Sequence, residues 1–273
     1  MHLNKNIEKL RELKSYFSSD EKVRCTILDM IEALSYGPLT REVNKMKGKG
    51  VGAKDPLLLM LLFPFMGLKS IRAFFQSGWS GMSKGGKDVF YRLKGDERVD
   101  WRQLLRLVTL RFGQLTREKG EEGDTPACLM VDDTTVEKSA PMTEGLSRVF
   151  DHVSKRYVLG YKLLTLGRWD GKSFIPLDFS FHREGKDKKR PFGLRKKERE
   201  GQKTKYRKEG TPGDRRKEEL DASKMDRALG MVKGALDKGV RCEYVLMDSW
   251  FFCHKFLKGL RGALKKGVHV IAM

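Results

Sequence analysis

The chain has 273 residues, 39% of them hydrophobic, and a formal net charge of +20 at pH 7. That length and apolar content suffice for a real core, while the charge far exceeds what solubility needs and favours a polyanionic partner: DNA, RNA or an anionic membrane surface, with nucleic acid first. The longest apolar run, "PLLLMLLFPFMG" from Pro56 to Gly67, is interrupted by Pro64 and is too short for a bilayer span of roughly 20 residues.

The first residues, "MHLNKNIEKLRELKSYF", carry periodic charges and no continuous apolar segment, so they do not read as a secretory signal, and the cytosol is the expected location. Ile7, Leu10, Leu13 and Phe17 recur at helical spacing, as do Val23, Ile27, Met30, Ile31 and Leu34. The basic, glycine-rich stretch "GPLTREVNKMKGKGVGAKDP" reads as a loop. "DWRQLLRLVTLRFGQL" is a strong amphipathic helix, with Asp100 and Gln103 placed like a capping box. A polar linker, "TREKGEEGDTP", follows, so a helical module is expected over 1–120 and a second domain over 127–273.

Beyond the linker the period changes. "ACLMV" predicts a short buried strand, and "RYVLGYKLLTLG" and "SFIPLDFSF" predict two more, joined by a tight turn at Asp170 and Gly171. From Lys186 to Lys217 fifteen Lys or Arg face five Asp or Glu, half of the net charge. Such a run is as readily a solvated segment as a phosphate-contacting one, and its aromatics, Phe192 and Tyr206, are too few for a stacking platform. Residues 221–239 predict a helix stopping at Gly239, "EYVLMD" a buried strand, "SWFFCHKFLKGLRGALKKG" a helix, and "VHVIAM" a strand parallel to the previous one.

Asp133 and Asp248 both follow apolar strands, where open α/β sheets place their sites, and adjacent strands would bring the two carboxylates to one edge. Paired carboxylates there suit hard divalent cations in phosphodiester chemistry. Asp248 serves equally as an N-cap for the helix it precedes. Asp132 and Asp133 point to opposite faces of an alternating strand, and their order does not choose between them. Cys25, Cys128, Cys242 and Cys253 are scattered without zinc-ligand spacing and read as reduced thiols. "GKGVGA" at Gly48 and "GKS" at Gly171 lack the context of nucleotide-binding loops, and His152 and His182 are single histidines of the kind usually structural.

At "MVDDTTVEK" and "YVLMDSWFF" the chain resembles the DDE transposases of bacterial insertion sequences, in particular the IS-four group that includes the transposon-five enzyme. "KDVFYRLKGDERVDWRQLL" and "FDHVSKRYVLGYKLLTLGRWDGKSFIPLDFSFHREGK" extend the resemblance over nearly the whole chain. It implies an α/β architecture: a helical N-terminal region that helps bind transposon ends, then a ribonuclease H-like mixed-sheet domain. It selects Asp133, the aspartate directly before Thr-Thr, and Asp248 as catalytic ligands for Mg2+ or Mn2+. The implied chemistry is water attack at the transposon end followed by strand transfer. Expected partners are double-stranded DNA, as transposon ends and target, and a second copy of the chain in a homodimer. The family's third acid, a glutamate within a Tyr, Arg, Glu, Lys signature after the fifth strand, has no counterpart: Ser249 to Met273 contains no Asp or Glu. The ribonuclease H-like domain is therefore expected to be incomplete and the chain a truncated transposase, with Glu218 or Glu219 as lesser candidates for a third ligand. The alternative function is a catalytically inactive DNA-binding remnant that inhibits transposition.

Overall fold

Apolar residues at helical spacing dominate the first hundred residues, and strand-period segments dominate from Cys128 onward. The computed structural model describes residues 29–118, 127–169, 171, 173–185, 191–262 and 268–273. The predicted helices around Ile7–Phe17 and Val23–Ile27, and linker residues 119–126, lie outside the described residues. Packing divides the chain into two units, meeting in sequence between Asp100 and Trp101.

The described part of the first unit is helical: α1 (Tyr36–Lys47), α2 (Lys54–Leu62), α3 (Ile71–Gln76) and α4 (Lys87–Lys94). Helix α1 occupies much of the stretch expected to be a loop. Tyr36, Thr40, Val43 and Lys47 recur every three or four residues and are buried, and Pro38 falls in the first turn, where a missing N–H costs nothing. The glycines act only beyond Lys47: Gly48 and Gly50 take positive φ and end the helix. The core of this unit is Leu59, Phe63, Ile71, Phe74 and Phe90. Phe63 stacks on Phe74 at 5.3 Å between centroids and Phe75 meets Phe90 edge-on at 5.3 Å. Ser70 caps α3, its Oγ accepting from the Ala73 amide at 3.0 Å.

The second unit begins with α5 (Trp101–Glu118), the helix that the sequence grouped with the N-terminal module. It packs along a strand of the sheet, and Thr109 Oγ1 donates to the Pro176 carbonyl at 2.6 Å. The strands are β1 (Cys128–Glu137), β2 (Ser147–Asp151), β3 (Arg156–Trp169), β4 (Phe174–His182), β5 (Tyr244–Met247) and β6 (His269–Ala272). The predicted hairpin is β3–β4, antiparallel from Trp169↔Phe174. Its Asp170 lies outside the described residues. Strand β2, too short to stand out in the sequence, pairs with the first third of β3.

One mixed sheet results, in the order β2-β3-β1-β5-β6, with β4 also on β3. β1 and β3 are antiparallel, and β1–β5 and β5–β6 are parallel. Between them run α6 (Lys196–Glu200), α7 (Pro212–Glu219), α8 (Lys224–Asp237) and α9 (His254–Arg261). The predicted helix from Ser249 divides into a 3-10 turn, Ser249–Phe251, and α9. Leu129, Val131, Leu164, Leu166, Val245 and Met247 of the sheet pack on Ala228, Met231 and Val232 of α8 and on Phe256 and Leu260 of α9. This is the mixed α/β architecture, helices and then a mixed sheet, that the sequence led us to expect.

One face of β4 is buried and polar. Asp178, Ser180 and His182 are 9%, 2% and 1% exposed. Arg102 of α5 bonds Asp178 with two nitrogens, its Nη2 at 2.6 Å, and donates Nη1 to Glu219 Oε1 at 2.7 Å. Arg227 of α8 reaches the same oxygen at 2.9 Å, and Ser180 Oγ donates to Glu219 Oε2 at 2.9 Å. Removing Arg102 leaves two largely buried carboxylates short of a partner. Arg102→Ala is expected to destabilise the sheet unit by about 3–5 kcal/mol, read as a lower urea midpoint with an unchanged slope.

Candidate active site

Strand β1 runs on to Glu137 against β3, so Asp133 stands inside the strand rather than just past its end. The parallel neighbour stops earlier: β5 pairs with β1 only as far as Val131↔Met247, and Asp248 leaves the sheet at the next residue. Asp132 and Asp133 are thus the first β1 residues beyond the β5 pairing, and Asp248 is the first residue after β5. The three carboxylate-bearing residues share one edge of the sheet.

The faces separate them. Val131 and Met247 both point into the core, so alternation sends Asp133 to that face and Asp132 to the other. Asp133 Oδ2 accepts from Lys224 Nζ at 2.7 Å, while Lys162 Nζ stands 3.8 Å from Oδ1. Lys162 is only 3% exposed and needs such a counter-charge. Lys224 also lies 3.5 Å from Glu184 Oε1 and 4.5 Å above the Trp250 ring.

Asp132 accepts at Oδ1 from the Asp133 amide at 2.7 Å. Loss of water raises its carboxyl above the ordinary range, and the charges of Asp133 and Asp248 push the same way, while the amide bond and Lys162 oppose them. Asp248 caps the 3-10 turn: the Trp250 amide at 2.9 Å and the Ser249 hydroxyl at 3.1 Å both bond Oδ1. These bonds hold its carboxyl below the ordinary range. The capping role the sequence allowed is therefore present, and it uses one oxygen of an exposed carboxylate. Oδ2 takes no part in the cap and is available to another ligand.

Four polar residues around Asp133 were not singled out by sequence: Lys162, Glu184, Lys224 and His182, the last noted and assigned nothing. His182 Nδ1 lies 3.2 Å from the Ala222 carbonyl. Burial pushes its pKa down. A carbonyl only accepts, so Nδ1 carries the hydrogen and Nε2 is an acceptor, with no hydrogen-bond partner. The signal for this group lies in "LDFSFHRE", where Asp178, Ser180, His182 and Glu184 alternate along an extended segment.

In the basic run, Lys186–Arg190 lie outside the described residues. Arg195, Lys196, Lys197, Arg199, Lys203, Lys205 and Lys208 are exposed. Arg207 is turned inward onto Glu144, with Nη1 2.9 Å from Oε1. Among the described residues no helix is long and apolar enough to cross a membrane, and no group of three His, Cys, Asp or Glu residues has metal-binding spacing.

Residues 58–272 match the DDE superfamily endonuclease family. The chain belongs to that family. No curated protein matches its sequence. Membership gives the mixed sheet its place as a DDE, ribonuclease H-like domain, names DNA as the substrate class and makes transposase-like nuclease activity the family expectation; DDE nucleases are generally dependent on divalent metal.

The raised pKa of Asp132 fixes the sign of a pH effect. A carboxyl that binds its proton more tightly when folded favours the folded state in acid, and that contribution is lost as pH rises through the raised pKa. Asp132→Asn should accordingly stabilise the DDE domain at neutral pH and do little at about pH 3, below the usual aspartate value. Urea midpoints at the two pH values measure the difference.

Proposed function

We propose that this DDE endonuclease is a transposase of the IS-four group that binds transposon-end double-stranded DNA and carries out metal-dependent phosphodiester cleavage and strand transfer. Asp133 and Asp248 are the metal ligands in this reading. What supports it is the β1–β5 register: the last pair is Val131↔Met247, so Asp133 and Asp248 both lie within two residues of the point where the pairing ends, with Asp132 level with Asp248.

The donor chemistry fits Mg2+ or Mn2+. Both side chains offer hard carboxylate oxygens, and Mg2+ is commonly bound through one or two carboxylates with waters and substrate phosphates completing its sphere. When bound, such an ion supplies Lewis-acid stabilisation of the phosphodiester and an activated water. The chain's own residues do the positioning. Lys162 and Lys224 fix Asp133, and the Ser249–Phe251 turn fixes Asp248. The exposed lysines and arginines of 195–208 contact the phosphate backbone. Water attack at the transposon end releases a 3′-hydroxyl, which then attacks target DNA without a covalent protein intermediate.

A second reading, a catalytically inactive DNA-binding protein that occupies transposon ends, is favoured by the absence of a three-ligand group among the described residues. Nicking of end-bearing DNA in Mg2+ or Mn2+ separates the two. On the transposase reading Asp133→Ala reduces nicking to background and leaves DNA affinity nearly unchanged. Nicking that survives Asp133→Ala refutes the assignment, and salt-sensitive binding without nicking by the unaltered chain supports the second reading. Under either reading, replacing Lys196, Lys197 and Arg199 by Gln should weaken binding and flatten the dependence of log K on log salt by about 0.9 for each phosphate no longer neutralised.

A further inference from the structure

We infer that the turn of the β2–β3 hairpin is a wedge for duplex DNA: Val153 enters a base step beside the reacting phosphate, while Lys155 and Arg156 hold phosphates on either side of it. The inference rests on the reading of the Asp133 and Asp248 edge as the place where DNA is cut, and it adds a contact surface to that edge.

The hairpin turn stands at that edge. Residues His152 to Lys155 join Asp151 to Arg156, the facing pair that closes the β2–β3 ladder. The Asp151 carboxylate accepts a hydrogen bond from the side chain of Thr135, two residues beyond Asp133 on the same face of β1. After the Trp250 amide and the Ser249 hydroxyl, His152 is a further group that lowers the Asp248 carboxyl, so the turn lies within electrostatic reach of it. Strand β3 passes close against β1 at Gly160, where a Cβ would collide with the Val136 carbonyl.

Two of the turn residues serve the fold poorly. Val153 is 93% exposed, the most exposed large apolar side chain among the described residues, in a place that Gly, Asn, Asp or Ser would fill better. Lys155 takes φ 54°, left-handed backbone that glycine or asparagine adopts more readily. Backbone held in such a state by its surroundings is characteristic of ligand clamps. Here the surroundings do hold it: Asp151 Oδ2 accepts from the Ser154 amide at 3.0 Å and from its hydroxyl, and the Val153 amide bonds the same carboxylate. Phe150 meets His152 at 5.1 Å and Tyr157 at 5.2 Å, both edge-on, and braces the base of the turn. The outer surface is then an apolar tip beside exposed cations, Lys155 and an Arg156 whose guanidinium stands 3.9 Å from a largely exposed Glu137. One valine and the Tyr157 ring are too little apolar area for a stable protein contact. They suit DNA, where apolar side chains open base steps while cations track the backbone.

Base stacking, read without cleavage, tests this. A mixed-sequence duplex with 2-aminopurine at a central T-A step, a step that unstacks readily, should gain fluorescence when the full chain binds it in EDTA. Val153→Ser should remove most of that gain while weakening affinity, read by anisotropy, less than about threefold, since phosphate contacts dominate affinity. Lys155→Gly should weaken binding and flatten the dependence of log K on log salt by about 0.9, with an unfolding temperature at or above that of the unaltered chain, because glycine relieves the backbone. An undiminished gain in Val153→Ser, or binding without any gain by the unaltered chain, overturns the wedge. A lowered unfolding temperature or unchanged DNA affinity in Lys155→Gly overturns the phosphate contact. Failure of the underlying reading shows separately: nicking in Mn2+ that survives both Asp133→Ala and Asp248→Ala removes the edge as the reacting site, whatever the fluorescence does.

Discussion

Asp178, Ser180, His182 and Glu184 stand at alternate positions along β4 and its extension, and the first three are buried. Leaving such groups unpaired costs from about 1 kcal/mol for a neutral group to several for a charge. The elements around that face are arranged to meet the demand. At one end α5 brings Arg102, α7 brings Glu219 and α8 brings Arg227, so that two guanidiniums balance two carboxylates. At the other end Lys224 and Lys162 serve Asp133 and Glu184. Arg102 of α5 and Arg227 of α8 are thereby tied to the same polar stripe that, at Glu184, meets Lys224 of the candidate site.

Lys224 shows the cost of this arrangement. It is the first residue of α8, whose N-terminus Ser223 caps by accepting from the Asp226 amide. A cation in a helix's first turn opposes the macrodipole by about 0.3–1 kcal/mol. The residue sits against that field because Asp133, Glu184 and the Trp250 ring offset it. An acidic residue at position 224 would suit the helix and leave three carboxylates facing one another.

The strands that were legible in the sequence are those built from largely apolar runs: "CLMV", "YVLM", "VHVIAM" and the β3–β4 hairpin. Asp133 and Asp248 were reachable because both follow such runs. The polar stripe was not, since alternating polar residues read locally as the solvent face of a strand. Phe179 and Phe181, the intervening residues, pair with each other at 6.0 Å on the opposite face and supply the apolar half of the pattern that made the reading plausible. The contacts that reverse it are long-range, 76 residues from Arg102 to Asp178 and 91 from Asp133 to Lys224, and no periodicity contains them. Helix α1 was obscured by composition, because the glycines that end it were allowed to characterise its whole neighbourhood.

The chain carries +20 overall, yet Asp132, Asp133, Glu184 and Asp248 gather around the end of the β1–β5 pairing. A surface of one sign draws in a polyanion along its length, at rates and affinities set by salt. It does not by itself choose which phosphate reacts. A local reversal of sign does, because only there does a phosphodiester need a bridging cation to approach carboxylates at all. The two lysines at Asp133 balance that negative patch, and at Asp132 the charges of Asp133 and Asp248 add to the loss of water that pushes its carboxyl upward. On the proposed reading, binding and reaction are thereby separated in space by the sign of the charge: the exposed basic run of 195–208 positions the DNA backbone, and the acidic edge sets where chemistry occurs.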